Sequence, residues 1–292
     1  MLADPRVERV VCTRLVVAWR LRVLARGHAA KRFSDLQLLA RSWWLMLLCG
    51  LVIELVNTAD GPQPAAAWGA PACALAGLAF APLNRWVLRR WPAPADGAPP
   101  PRTLLFLRAF GWQARTERLF DRLGARWRWL GPITMIAAPD TVARSMDPVD
   151  LAAYLQGREA EAFVRSAADL GARLAALDRQ RDPDGRFRLN EFCCADDTWR
   201  ATVVALMDRA DAVVMDLRGV RDPQHGCAFE LGQLAQRLPP KRVVLVVDAQ
   251  TLLPPLRDAL GAAADEVIWH RLDGERQAGH DALFTALVWA AS

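Results

Sequence analysis

The residues best suited to chemistry cluster between Asp211 and Leu238, in the stretch DAVVMDLRGVRDPQHGCAFELGQLAQRL. A run of β-branched residues closes with Asp216 and Arg218, a polar loop follows, and Glu230 then stands near the start of an apolar helix. A carboxylate held against apolar surroundings can stabilise, or attack, a centre on which positive charge develops. Arg108, at the end of an earlier apolar run, and Arg218 carry planar guanidinium forks suited to paired hydrogen bonds with phosphate. Phe110 and Trp112 follow Arg108 and offer flat faces for stacking on a base. Each residue also has a plainer reading. Glu230 is a helix-start acid favoured by the macrodipole, Asp216 a strand-end cap or partner of Arg218, Arg108 the partner of some acid, and His225 a solvated loop side chain rather than a proton-transfer group. Trp199, in DDTWR, reads as core packing.

Alternating strand-like and helix-like segments must position these groups. TLLFLRAF (103–110) reads as a buried strand, followed by the helical ARTERLFDRLGARW. ITMIAA (133–138) is a second strand, residues 158–179 a long amphipathic helix, and RDPDG the turn that ends it. RFRLNEFCC (186–194) alternates as a third strand, and Asp196 or Asp197 is the expected N-cap of the next helix. Then come strand AVVMDL, helix CAFELGQLAQRL, strand RVVLVVD, helix LLPPLRDAL, strand EVIWHRL and a last helix over 277–290. This alternation predicts an α/β domain, a parallel sheet with helices on both faces. Ligands of such sheets sit at the carboxyl ends of the strands, near the topological switch point. That rule brings Arg108, Asp216, Arg218 and Glu230 toward one crevice. Neither GxGxxG nor GxxxxGK[ST] occurs, so a dinucleotide fingerprint and a P-loop are both absent.

The rest of the composition narrows the partners. The chain has 292 residues, is 53% hydrophobic and carries a formal net charge of +5. Residues 1–102 hold 13 basic and 6 acidic residues, net +7, which leaves −2 for 103–292. Positive charge beside the most apolar part of a chain suits a membrane surface rather than nucleic acid. The six cysteines show no CxxC or Cys/His spacing, so we expect reduced thiols and no metal site.

Four regions follow. Residues 1–34, containing the arginine-rich 5–26, read as a basic amphipathic juxtamembrane segment, with a helix packed on the soluble domain as the alternative. Residues 35–90 read as a two-helix transmembrane hairpin with spans at 42–58 and 64–84, flanked by Lys31, Arg32 and Arg41 on one side and Arg85, Arg89 and Arg90 on the other. A buried core hairpin is the alternative. Residues 91–102, WPAPADGAPPPR, form a stiff Pro-rich linker, and 103–292 the α/β domain. The charge flanks place both termini and the domain on the cytoplasmic side of the inner membrane. Lipid bilayer and a nucleotide are the expected partners, with self-association through the domain or the hairpin possible.

DPQHGCAFELGQL resembles the signature of nucleoside 2-deoxyribosyltransferases, in which a Gly, three residues, a Glu and a further Gly open a helix; here these are Gly226, Glu230 and Gly232. It is also similar to Toll/interleukin-1 receptor (TIR) domains, where a small residue and an aromatic precede Glu-Leu, as Cys227 and Phe229 precede Glu230 and Leu231. The resemblance spans roughly 103–270 and implies a flavodoxin-like parallel sheet. It also implies that Glu230 acts at the ribose of a nucleoside or of NAD, with NAD as substrate rather than cofactor. Breaking an N-glycosidic bond builds an oxocarbenium-like charge on the sugar, and a carboxylate is the side chain that answers it. Arg108, Phe110, Asp216, Arg218 and Gly226 would line the substrate site. Three features depart from these patterns: Phe229 stands where TIR domains have Trp, Cys227 where the transferases have Thr, and about 45 residues (140–184) are inserted after the second strand. The resemblance therefore implies either an NAD glycohydrolase or related N-glycosidic-bond enzyme, or a nucleotide-sensing, self-associating module without turnover.

Overall fold

The computed structural model describes residues 99–109, 114–137, 163–195, 197–223 and 225–292, with seven isolated positions between Val23 and Trp44. The expected spans 42–58 and 64–84 and the amphipathic segment 5–26 lie outside the described residues, isolated positions apart. Among the described residues no helix is long and apolar enough to cross a membrane.

Seven strands form one all-parallel sheet: β1 Leu104–Arg108, β2 Ile133–Ala137, β3 Phe163–Val164, β4 Leu189–Cys194, β5 Ala212–Asp216, β6 Val243–Val247 and β7 Ile268–Arg271. Their order is β3-β4-β2-β1-β5-β6-β7. The run β2-β1-β5-β6-β7 is the doubly wound, flavodoxin-like arrangement, and β4 and β3 extend it past β2. Its switch point lies between β1 and β5, where Arg108 stands opposite Asp216 in register. Strands β5 and β6 are buried throughout, which explains why AVVMD and VVLVV read as unbroken apolar runs rather than alternating ones.

Among the described residues six helices cover the sheet: α1 Ala114–Trp127, α2 Ala167–Ala175, α3 Trp199–Met207, α4 His225–Arg237, α5 Leu253–Leu260 and α6 Gln277–Ala290. Leu105, Leu107, Val213 and Met215 point to one face and pack with α3, α4 and α5 through Val203, Leu231, Leu234 and Leu256. Leu104, Phe106 and Val214 point to the other and pack with α1 and α6 through Leu119, Trp127, Leu283 and Leu287. Strand alternation thus divides one sheet between two cores.

Two local expectations are corrected. The helix expected over 158–179 is interrupted: Phe163 and Val164 instead pair with Cys193 and Cys194 as strand β3, and α2 begins only after Ser166, whose Oγ accepts from the Asp169 amide. The N-cap of α3 is Thr198 rather than Asp196 or Asp197, and its hydroxyl donates to the Val164 carbonyl instead of capping the helix. In both places a contact to β3 decides the geometry, and such a contact is invisible to local periodicity.

The chain divides into two compact units. One comprises residues 1–96, 146–160 and 181–185, and the other residues 97–145, 161–180 and 186–292. The first includes the Lys31 Nζ–Asp182 Oδ1 ion pair at 3.1 Å, with the Asp182 side chain fully buried. The second contains the sheet.

Gly131 shows how tightly the edge of that sheet is closed. A Cβ there would collide with the Arg102 backbone, whereas one at Gly171, on α2, would meet nothing within 4 Å. Gly131→Ala should therefore destabilise the protein by about 1–3 kcal/mol or more, and Gly171→Ala should stabilise it by ~0.5–1 kcal/mol. Urea denaturation of both variants checks the contrast, and a neutral Gly131→Ala would refute the close approach.

Candidate functional site at the switch point

The β5 strand ends in a buried ion pair. Arg218 Nε donates to Asp216 Oδ1 and Nη2 donates to Oδ2, both at 2.8 Å, and the two side chains are only 4% and 3% exposed. Burial opposes the charge on Arg218, but hydrogen bonds and charge from Asp216, with Glu275 and Asp248 further off, hold its pKa above the ordinary value. Neighbouring elements complete the bonding. Thr116 in the first turn of α1 donates to Asp216 Oδ2 at 3.0 Å, and Arg218 Nη2 also donates to the Arg115 carbonyl at 3.1 Å. Arg115 in turn donates to the Arg218 carbonyl and pairs with Asp248 at 3.2 Å.

Asp248, just past β6, fixes the turn that follows β5. Its Oδ1 accepts from the Gly219 amide at 2.9 Å, the Gln250 amide at 3.1 Å and the Thr251 hydroxyl at 2.8 Å. Burial would raise its pKa, but these bonds and Arg115 hold it below the usual carboxylate range. Gly219 is required here: its φ is +77°, and a Cβ would come within 2.5 Å of Arg115 Nη2. Sequence reasoning passed over Arg115, Thr116, Asp248 and Thr251. The readable signal was an Asp closing an apolar run with a Thr three residues on, a local side-chain turn pattern.

Glu230 lies in a different environment. Helix α4 begins at His225, which places Glu230 in its second turn, beyond the reach of a strong N-terminal dipole effect. Its side chain keeps some solvent contact. The surrounding protein nevertheless desolvates the carboxyl enough to push its pKa up to about 8, against the opposing charge of Arg108. One turn back, Cys227 is buried, and its thiol is pushed up to about 12 by desolvation and then by Glu230. The next residue, Phe229, packs edge-on against Trp199 with ring centroids 5.5 Å apart. Arg200 covers both rings at 5.5 and 5.3 Å. Gly226 sits over Trp199, and a Cβ there would approach the indole at 3.7 Å. His225 is exposed at the helix start.

Of the residues expected at the site, Arg108 and Asp216 face each other across the switch point, and Arg108 acts on Glu230. Asp216 and Arg218 are joined to each other. Gly226 opens α4 beside the aromatic pair, and Phe110 lies outside the described residues. The strand edge thus holds one charged network that satisfies itself and one carboxyl that lacks full solvation. Among the described residues no group of three or more His, Cys, Asp or Glu could hold a metal ion.

No protein-family model and no curated protein matches this chain. Fold and site therefore define its class: a doubly wound parallel α/β domain with a desolvated glutamate and an arginine at the switch point.

The ion pair makes a prediction of its own. Arg218→Met should destabilise the protein by about 3–5 kcal/mol, because it strands the Asp216 charge in the interior. Combining it with Asp216→Leu should recover much of that loss. Denaturant titration of the three variants tests the coupling, and additive losses would show that the residues do not act as a pair.

Proposed function

We propose that the chain is a membrane-anchored enzyme that cleaves the N-glycosidic bond of NAD or a related nucleotide, with Glu230 as its catalytic carboxylate. The observation that carries this reading is the desolvated Glu230 carboxyl at the switch-point edge, with Arg108 beside it. A strand edge of this kind is where ligands of doubly wound sheets bind. Keeping a carboxyl there without full solvation costs stability, as is common where a group is poised for chemistry. The resemblance of Gly226, Cys227, Phe229, Glu230 and Gly232 to the transferase and TIR patterns points the same way.

The chemistry balances without a cofactor. The bond from ribose C1′ to the base nitrogen breaks, and its electron pair leaves with the base. The sugar becomes an oxocarbenium-like cation that Glu230 faces as a carboxylate, and water adds at C1′ with loss of a proton. Nicotinamide and ADP-ribose are the products when NAD is the substrate. A cationic base favours the ionised form of Glu230, so binding below pH ~8 releases a proton from it. Arg108 is the cation that acts on Glu230.

A nucleotide-sensing module without turnover is the second reading, and a specific observation favours it. Asp216 and Arg218 direct their hydrogen bonds to each other and to α1 rather than toward a ligand.

Purified protein incubated with NAD should release nicotinamide. Glu230→Gln should lower turnover by about 10² or more, since losing one such electrostatic contact removes ~3 kcal/mol of transition-state stabilisation; nucleotide binding should survive. Wild-type kcat/KM should rise with pH to a plateau above about 8, the pKa of the free carboxyl. Nucleotide binding without turnover, in wild type and variant alike, would establish the sensor instead.

Stability should carry the same signature with the opposite sense. The folded pKa of Glu230, about 8, lies above its ordinary 4.5, so the unfolded chain ionises first as pH rises. Stability from the protonated carboxyl is complete below pH 4.5 and is lost as pH rises toward 8. The wild type should therefore lose on the order of a few kcal/mol across that window that Glu230→Gln keeps. Urea titrations at both ends of the window measure the difference, and identical pH slopes for the two proteins would rule out a desolvated carboxyl.

A further inference from the structure

Four exposed large apolar side chains lie at one end of the sheet-bearing unit: Trp129, Leu130, Val288 and Trp289, the last 62% exposed. They share a level. Arg126 stacks over the Phe284 ring at 3.9 Å, and Trp127 meets the same ring edge-on at 6.4 Å. Beyond that contact α1 runs out into Trp129–Leu130, and α6 ends with Val288–Trp289. Both helices return against the direction of the strands, so this level is the amino-terminal edge of the sheet, opposite Glu230.

Cations stand among these side chains. The short turn Pro240–Arg242 touches α6 and carries Lys241 and Arg242, both exposed. The Arg186 guanidinium lies 5.9 Å from the Trp129 ring. Three acids of the same edge are engaged, Asp208 by Arg237, Asp211 by the Thr103 amide and Asp265 by Arg257, whereas Asp258 in the last turn of α5 is exposed. Glu266 is exposed at the β7 flank.

The chain enters the domain at this edge. The Arg102 amide donates to the Leu130 carbonyl at 3.2 Å, and Trp127 Nε1–H donates to the Arg102 carbonyl at 3.0 Å. The last residue of the Pro-rich stretch 91–102 is thus pinned to the turn that exposes Trp129 and Leu130. Fully extended, that stretch reaches ~37 Å, and the charge-free sequence 61–84 lies just upstream of it.

We infer that this edge, with Trp129, Leu130 and Trp289 beside Lys241 and Arg242, rests on the surface of an anionic bilayer. The inference builds on the membrane anchorage proposed above. Tryptophans that mix with lysine and arginine are suited to the headgroup layer, where indole rings sit and cations meet lipid phosphate. A protein–protein interface would instead deplete its centre of charge. Docked in this way, the sheet points its carboxyl edge and Glu230 away from the lipid, with the ends of five-residue strands ~17 Å apart.

Hydroxyl-radical footprinting of the full-length protein in nanodiscs tests this, using discs of neutral lipid and discs with about a third anionic lipid. Oxidation of Trp129 and Trp289 should fall several-fold in the anionic discs, while Leu252 and Leu253 at the opposite edge keep their reactivity. K241E/R242E should restore oxidation without releasing the protein from the disc. Protein that inserts but leaves both tryptophans equally reactive in the two lipids overturns the docked edge and leaves the anchor standing. Protein that neither inserts nor co-sediments with anionic vesicles overturns both. Protection that ignores lipid charge and scales with protein concentration assigns the edge to a second copy of the chain and overturns the bilayer.

Discussion

The Asp216–Arg218 ion pair is the constraint on which the rest of the strand edge depends. It closes the strand at the switch point, ties that strand to the first turn of α1 through Thr116 and the Arg115 carbonyl, and connects through Arg115 to Asp248 past β6. Three elements from distant parts of the sequence are thereby held at one height. A buried pair of this kind adds little net stability compared with apolar residues of the same shape, but removing one member is expensive. Its contribution is positional, because it leaves the turn after β5 one conformation, with Gly219 at positive φ and its amide on Asp248.

Glu230 is informative because it has no such partner network among the described residues. On the same edge, one carboxylate is held below its ordinary pKa by four hydrogen-bonding and charged neighbours, and another is pushed above it by desolvation. The fold has donors available, yet they converge on Asp248 rather than Glu230. Two carboxyls whose environments drive them apart make a pair of unlike chemical character, and the destabilised member is Glu230.

Most of the architecture was legible because parallel strands buried on both faces leave long apolar runs. Strands β5 and β6 and the helix over 277–290 fall where the sequence placed them. What was hidden came from partners far away in sequence. Strand β3 is two residues long and exists because Cys193 and Cys194 offer it an edge; by itself it reads as part of an amphipathic helix. At the site, the types and positions of Arg108, Asp216, Arg218 and Glu230 could be read, but not their pairing. Arg218 looked like a phosphate fork and is spent on a residue two positions away, a choice that depends on burial by α1. Phe110 lies outside the described residues.

The central position of β1 also sets the order in which this domain can form. Its neighbour on one side is β2, but on the other it is β5, and the Thr103 amide finds its acceptor on Asp211, 108 residues later. During synthesis at roughly 5–20 residues per second, one flank of a strand that is apolar up to its closing Arg108 therefore waits several seconds for its partner. Parallel pairings of such span close slowly because chain entropy is lost before contacts compensate it. The same connectivity that creates the switch point thus leaves the nascent chain with an open strand edge until β5 has been made.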